Sequence, residues 1–217
     1  MKAIFAIFAL CLVAANAGTI AQPPVNYEGM VDDVLNEMAQ LAKDTAVALQ
    51  HAVEEIVLDP LQQVEEAVES IEALRVESEE CVAAEEDKVT ATVDAMHRDM
   101  GVCGVNAAKE SADIMTDISA ATQQLIFGGY DVISTYQKCQ KYKNQILKKT
   151  CYANLTVKAT LYLNSSRKSI RTIRESTSVR IPAMANDADL CTHGAADVAI
   201  QQLNTIEATV NACIGKY

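Results

Sequence analysis

The sequence predicts an all-α fold: a disulfide-stapled bundle of about five long amphipathic helices. Three observations predict it. Apolar residues recur every three or four positions along most of the chain. Good helix formers are plentiful, while the 217 residues hold no Trp, three Phe and four Pro. Six cysteines follow the N-terminal segment, an even number that reads as three disulfides.

The N-terminal segment sets the compartment. "MKAIFAIFALCLVAANA" places Lys2 before an apolar run from Ala3 to Ala14 and closes on Ala15-Asn16-Ala17, a small-x-small cleavage pattern. These are the three parts of a secretory signal peptide. The run falls short of the roughly 20 apolar residues that span a bilayer. Residues 1–17 are therefore expected to be removed, taking Cys11 with them, and the product is expected to be extracellular. Two sequons, Asn154-Leu-Thr156 and Asn164-Ser-Ser166, fit that compartment and make Asn154 and Asn164 candidate glycosylation sites.

Residues 18–29 read as an extended leader and residues 30–217 as a single helical domain. The first helix carries Val31, Leu35, Met38, Ala42, Thr45, Leu49, Ala52 and Ile56, stepping alternately by four and three. Asp59-Pro60-Leu61-Gln62 has the form of a capping box with proline in the first turn, so a second helix is expected from Pro60. That helix carries Leu61, Val64, Val68 and Ile71, continues to Met96 and Met100, and has a stop at Gly101 or Gly104. The third runs from about Asn106 through Ile114, Ile118 and Leu125 to Gly128-Gly129. The fourth starts near Tyr130. Its far end alternates at Val157, Ala159, Leu161 and Leu163, but no partner strand is visible, and helix is preferred. Pro182 breaks the pattern. The last helix bears Cys191, Ala195, Ala199, Leu203, Ile206, Val210 and Cys213, with Gly215 as its stop.

Charge is sorted along the chain, whose formal net charge is −11. Residues 28–99 hold 20 Asp/Glu against four Lys/Arg, and residues 138–180 hold 11 Lys/Arg against Glu175 alone. The expected arrangement packs the acidic second helix beside the basic fourth, with exposed pairs adding about 0–1 kcal/mol each. Net acidity and secretion exclude nucleic acid as a partner.

Enzyme signatures are missing, and no enzyme activity is expected. The three histidines, His51, His97 and His193, form no HExxH, and there is no CxxC, GxSxG, P-loop or dinucleotide fingerprint. Carboxylates four apart, such as Glu65 and Glu69, are what any acidic helix face provides. Neither a cofactor nor a metal site is expected.

The six cysteines Cys81, Cys103, Cys139, Cys151, Cys191 and Cys213 are the expected disulfide residues. With residues 136–156 read as one helix, Cys139 and Cys151 stand about 18 Å apart at 1.5 Å per residue. A disulfide needs a Cα separation of roughly 5–6 Å. On that reading the two cannot bond each other. A turn near Pro182 sets Cys213 opposite Cys151, so Cys151–Cys213 is the expected bond. The other four cysteines share two bonds in an open order.

The order of features is similar to an insect secreted family that shares a domain with the tsetse EP protein. Those features are a signal peptide, long acidic helices, Cys81 and Cys103, the Lys/Tyr-rich C-x11-C of Cys139 and Cys151, then Cys191 and Cys213. The resemblance covers roughly residues 80–215 and lacks the namesake's Glu-Pro repeats. It implies a small helical protein of gut or secretory tissue and brings no catalytic residues. The expected function is a secreted, non-enzymatic structural or interaction protein. The alternative is a helical-bundle carrier of a lipid or other apolar ligand. The partners to look for are an extracellular protein, a glycan or a lipid, with self-association through the heptad stripe as a further option. No integral membrane segment is expected.

Overall fold

The computed structural model describes residues 25–216, except for the side chains of residues 53–58. The expected signal peptide, residues 1–17, and residues 18–24 of the expected leader lie outside that range. The described chain is all-α. Helix α1 spans Tyr27–Ala73, followed by a 3-10 turn at Leu74–Val76 and a short α2 at Glu79–Ala83. Two longer helices complete it: α3, Glu86–Lys141, and α4, Gln145–Ile214. Five helical elements are present among the described residues, but three of them make up nearly the whole molecule. At 1.5 Å per residue the 70 residues of α4 extend about 105 Å.

The helices run up, down and up. Tyr27, Glu37, Asp59 and Ser70 of α1 meet Thr156, Arg174, His193 and Glu207 of α4, so these two helices are parallel. Helix α3 is antiparallel to both, since Asp131 meets Lys158 while Glu110 meets Arg180. Three of the four α-helix starts, all but that of α3, are capped by a side chain. Asn26 Oδ1 accepts from the Gly29 amide at 2.9 Å, Ser78 Oγ from Cys81 at 3.3 Å, and Asn144 Oδ1 from Ile146 and Leu147 at 2.9 and 3.2 Å. These side chains satisfy amides that a helix start leaves without partners. α1 thus begins at Tyr27, inside the stretch assigned by sequence to the leader.

Several expected breaks are absent. α1 passes through Pro60, whose ring is fully buried, and α4 passes through Pro182. An interior proline costs about 3 kcal/mol. Tertiary packing offsets this: around Pro182 the stripe runs through Thr177, half-buried Ile181, Met184 and Ala188, and it continues buried through Thr192, Ala196, Ala199, Leu203, Ile206 and Val210. Likewise Gly101, Gly104, Gly128 and Gly129 all lie inside α3. The expected alternation near Val157 is resolved as helix, with Leu155, Ala159 and Tyr162 buried.

The break that matters falls instead at Tyr142–Asn144. It makes an αα-hairpin of the stretch that the sequence reading took as one helix. Cys139 then lies at the end of α3 and Cys151 in the second turn of α4, with 5.5 Å between their Cα atoms, and they are bonded. This corrects two expectations, that Cys139 and Cys151 cannot pair and that Cys151 pairs with Cys213. The rise argument was sound, but its premise of an unbroken helix was not. The other bonds are Cys81–Cys213 and Cys103–Cys191, each at 5.8 Å between Cα atoms. All three bonds end on α4.

The charge expectation is also corrected. The acidic stretch 59–99 packs against residues 187–214 rather than against the basic segment. The basic segment is met by the first half of α1 and the second half of α3, through Arg174–Glu37, Lys158–Asp131 and Arg180 with Glu110 and Asp117.

Two glycines in α3 have a packing role. A methyl group at Gly129 would stand 2.5 Å from Val31 Cγ1 of α1, and one at Gly128 would stand 2.9 Å from the Tyr162 ring of α4. The missing Cβ atoms let three helices close around the Tyr162 ring. Gly101, Gly104 and Gly194 have nothing within 4 Å of such a methyl. Gly129→Ala is expected to lower stability by about 1–3 kcal/mol through overpacking. Gly101→Ala or Gly104→Ala is expected to raise it by about 0.5–1 kcal/mol through helix propensity. Urea unfolding of the three variants checks both signs. Replacing Cys139 and Cys151 together by Ser is expected to cost about 3 kcal/mol, the value for closing a loop of this size. A non-reducing digest should release residues 139 and 151 on linked peptides.

Candidate functional site

Among the described residues the apolar core forms two clusters. One cluster is built from Tyr27 to Leu49 of α1, Ala107 to Cys139 of α3 and Leu155 to Ala188 of α4. At one end Tyr27, Tyr136 and Tyr152 cap it, with ring centroids 5.4 and 6.4 Å apart in sequence. The second cluster joins Val64 and Ile71 of α1, Cys81 and Val82, Val89 to Met100 of α3, and Ala196 to Val210 of α4. The level between them, called the waist below, is crossed by the Cys103–Cys191 bond.

Two open grooves flank α4 at this waist. The α3 side holds a cavity of about 500 Å³, floored by Ala107, Met184, Ala188 and the Cys103–Cys191 bond and rimmed by Glu110, Arg180 and Asp187. Ser111 Oγ, which donates to the Ala107 carbonyl at 2.8 Å, also lies 3.1 Å from Met184 Sδ. The α1 side holds a cavity of about 600 Å³ lined by Ala48, His51 and Ala52 with Ile181, Pro182, Ala185 and Asp189. A shallow apolar floor with a charged rim suits an aliphatic segment better than a polar substrate.

The charged groups at the waist tie helices together. Arg180 Nε donates to Glu110 Oε1 at 2.9 Å and its Nη1 to Asp117 Oδ2 at 2.6 Å, joining α4 to two turns of α3. The two carboxylates raise the Arg180 pKa further. His193 lies inside α4, past its midpoint. Its Nδ1 is 3.1 Å from the Asp189 carbonyl and its Nε2 is 3.4 Å from Asp59 Oδ2 of α1. Asp59, read as a helix cap, is inside α1 and exposed. The hydrogen bond to the Asp189 carbonyl, then the bond to Asp59 and the charges of both carboxylates, raise the His193 pKa against the opposing effect of burial. His51 lines the α1-side groove and His97 is exposed on α3. The three histidines are therefore not brought together. Among the described residues no group of three or more His, Cys, Asp and Glu could hold a metal ion. Among them also, no helix is long and apolar enough to cross a membrane.

The sequon residues lie on α4. Asn154 and Asn164 are both exposed, but Ser166 of the second sequon is wholly buried. An enzyme reading Asn-x-Ser could not reach that hydroxyl in the folded bundle, so transfer to Asn164 would have to precede folding. Ser166 Oγ and the Tyr162 hydroxyl are buried without a hydrogen-bond partner among the described residues. Burial pushes the Tyr162 phenol pKa up, and the nearby Ser166 hydroxyl opposes this more weakly.

Sequence reasoning missed the hairpin and the waist. The hairpin had a signal: Lys138 and Lys141 suit the last turn of a helix, and Asn144 suits the cap of the next. The pairing of Asp59 with His193, 134 residues apart, had none.

A group whose pKa is raised on folding stabilises fully below its unfolded value, and that stability is lost as pH climbs through the folded value. The Asp59–His193 tie should therefore be intact below about pH 6.5 and weaken above the raised folded pKa. His193→Gln is expected to flatten this part of the pH dependence of unfolding. Thermal melts of both proteins in mildly acidic and mildly alkaline buffer measure it.

No curated protein and no solved structure was found to match the chain. The family model that does match spans five of the six disulfide cysteines, all but Cys213. That model is described as Protein of unknown function (DUF725); it covers residues 77–197, more than half of the chain, and the chain belongs to that family.

Proposed function

We propose that this is a secreted, non-enzymatic structural or interaction protein, of the insect gut or secretory-tissue type that its resemblance to the tsetse EP relatives implies. The observation that carries the reading is the placement of the three disulfides. One ties each end of α4 and one crosses the waist, so α3 is bonded to α4 at two levels and α2, which follows α1, at a third. Such bonds persist in oxidising compartments. Each contributes about 2–4 kcal/mol, much of it by restricting the unfolded chain. That is what a rod with an alanine-rich core needs in a protease-rich fluid. Glycans at Asn154 and Asn164 would add further protection. The second reading, a carrier of an apolar ligand, is supported by the two grooves with aliphatic floors at the waist.

Trypsin digestion with and without reductant tests the first reading. The oxidised protein is expected to survive at least ten times longer, since reduction removes about 2–4 kcal/mol for each bond. Native mass spectrometry of the purified protein separates the two. A mass equal to the chain from Gly18 plus N-glycans, reduced by Asn154→Gln and Asn164→Gln, supports the structural reading. A stoichiometric lipid adduct would move the assignment to a carrier, and turnover in a panel of hydrolase substrates would overturn both.

A further inference from the structure

The two ends of the rod carry opposite charge, and each surrounds an exposed aliphatic spot. At the hairpin end residues 138–149 contain Lys138, Lys141, Lys143, Lys148 and Lys149 and no acid. None of the five is in an ion pair with a described residue. Among them stand Ile146, 76% exposed, and Leu147, 53% exposed. At the other end residues 72–87 contain seven acids and only Arg75 as a cation. Arg75 is taken by Glu72, Glu79 and Glu86, and Glu85 is taken by Lys88. Glu77, Glu80 and Asp87 are left over, beside Val76 at 94% exposure.

These surfaces cannot satisfy each other within one molecule. They stand roughly 100 Å apart by the length of α4, against a screening length of about 8–10 Å. Between molecules they match in both charge and apolarity. We propose that copies of this chain assemble head to tail, the lysine hairpin of one docking on the acidic 3-10 turn and α2 of the next. Ile146 and Leu147 then cover Val76, while the lysines meet Glu77, Glu80 and Asp87. The contact joins two different surfaces, so on a straight rod it does not close and gives open linear chains. End-to-end pairing through like ends is opposed by charge. An anionic membrane would account for the lysine hairpin but leave Val76 and the acidic turn without a role. The proposal rests on the structural reading above and names its partner as a second copy.

The test is sedimentation velocity over a concentration series. It is run at about 0.01 M ionic strength and again near 1 M, where the screening length falls from about 30 Å to about 3 Å. The wild type is expected to show a mass that rises with concentration at low salt and a monomer at high salt. One variant reverses the hairpin (Lys143→Glu, Lys148→Glu, Lys149→Glu) and another the turn (Glu77→Lys, Glu80→Lys, Asp87→Lys). Each alone, with wild-type helicity by circular dichroism, is expected to stay monomeric. Their equimolar mixture, which restores opposite charges at every contact, should associate again. A wild type that is monomeric at low salt overturns the proposal, as do variants that associate like the wild type or a mixture that stays monomeric. Binding to phosphatidylserine vesicles by a chain that does not self-associate, lost on hairpin reversal, would assign the lysines to lipid and also overturn it. In the last two cases protease resistance and a ligand-free mass would leave the structural reading standing.

Discussion

The architecture depends on the single unbroken helix α4. All three disulfides end on it, α3 packs antiparallel along it and α1 packs parallel to it. A helix of 70 residues crossing Pro182 is not held by local propensity. What holds it is one buried stripe that faces two neighbours over its whole length, so local losses are offset by burial on either side. Cys151 lies on one side of Pro182 and Cys191 on the other, and both are bonded to α3, so α4 could bend at Pro182 only if α3 bent with it.

Small residues set how closely the helices approach. Ala107, Ala121, Ala159, Ala188, Ala196 and Ala199 are buried, with Thr and Ser at further core positions. Gly128 and Gly129 make room for the Tyr162 ring where all three long helices meet. Such a core buries little apolar area per residue and relies on covalent ties. At the waist a disulfide and two interhelical charged contacts tie the helices together.

Charge follows the topology. Because α1 runs parallel to α4, the acidic run through Asp99 is carried away from the lysines of the hairpin instead of lying beside them. Among the described residues only Glu37 of α1 reaches an arginine of α4. A chain that reads as two complementary blocks becomes a rod with opposite ends.

The heptad stripe of residues 31–49, the buried stripe from Cys191 to Val210 and the six-cysteine framework were all legible in the sequence, because a repeat of three and four residues can bury one face only as a helix. The sequence by itself determined an all-α chain with three disulfides. Tertiary structure decided where the helices end and which cysteines meet. Glycine and proline punctuate a helix only when packing gives the chain no reason to continue. At Pro60, Pro182 and Gly129 it had a reason, while at Tyr142–Asn144 an ordinary-looking stretch turned so that Cys139 could reach Cys151. Disulfide pairing is a property of distance in space, and 12 residues of sequence are compatible with both about 18 Å along a helix and 5.5 Å across a hairpin.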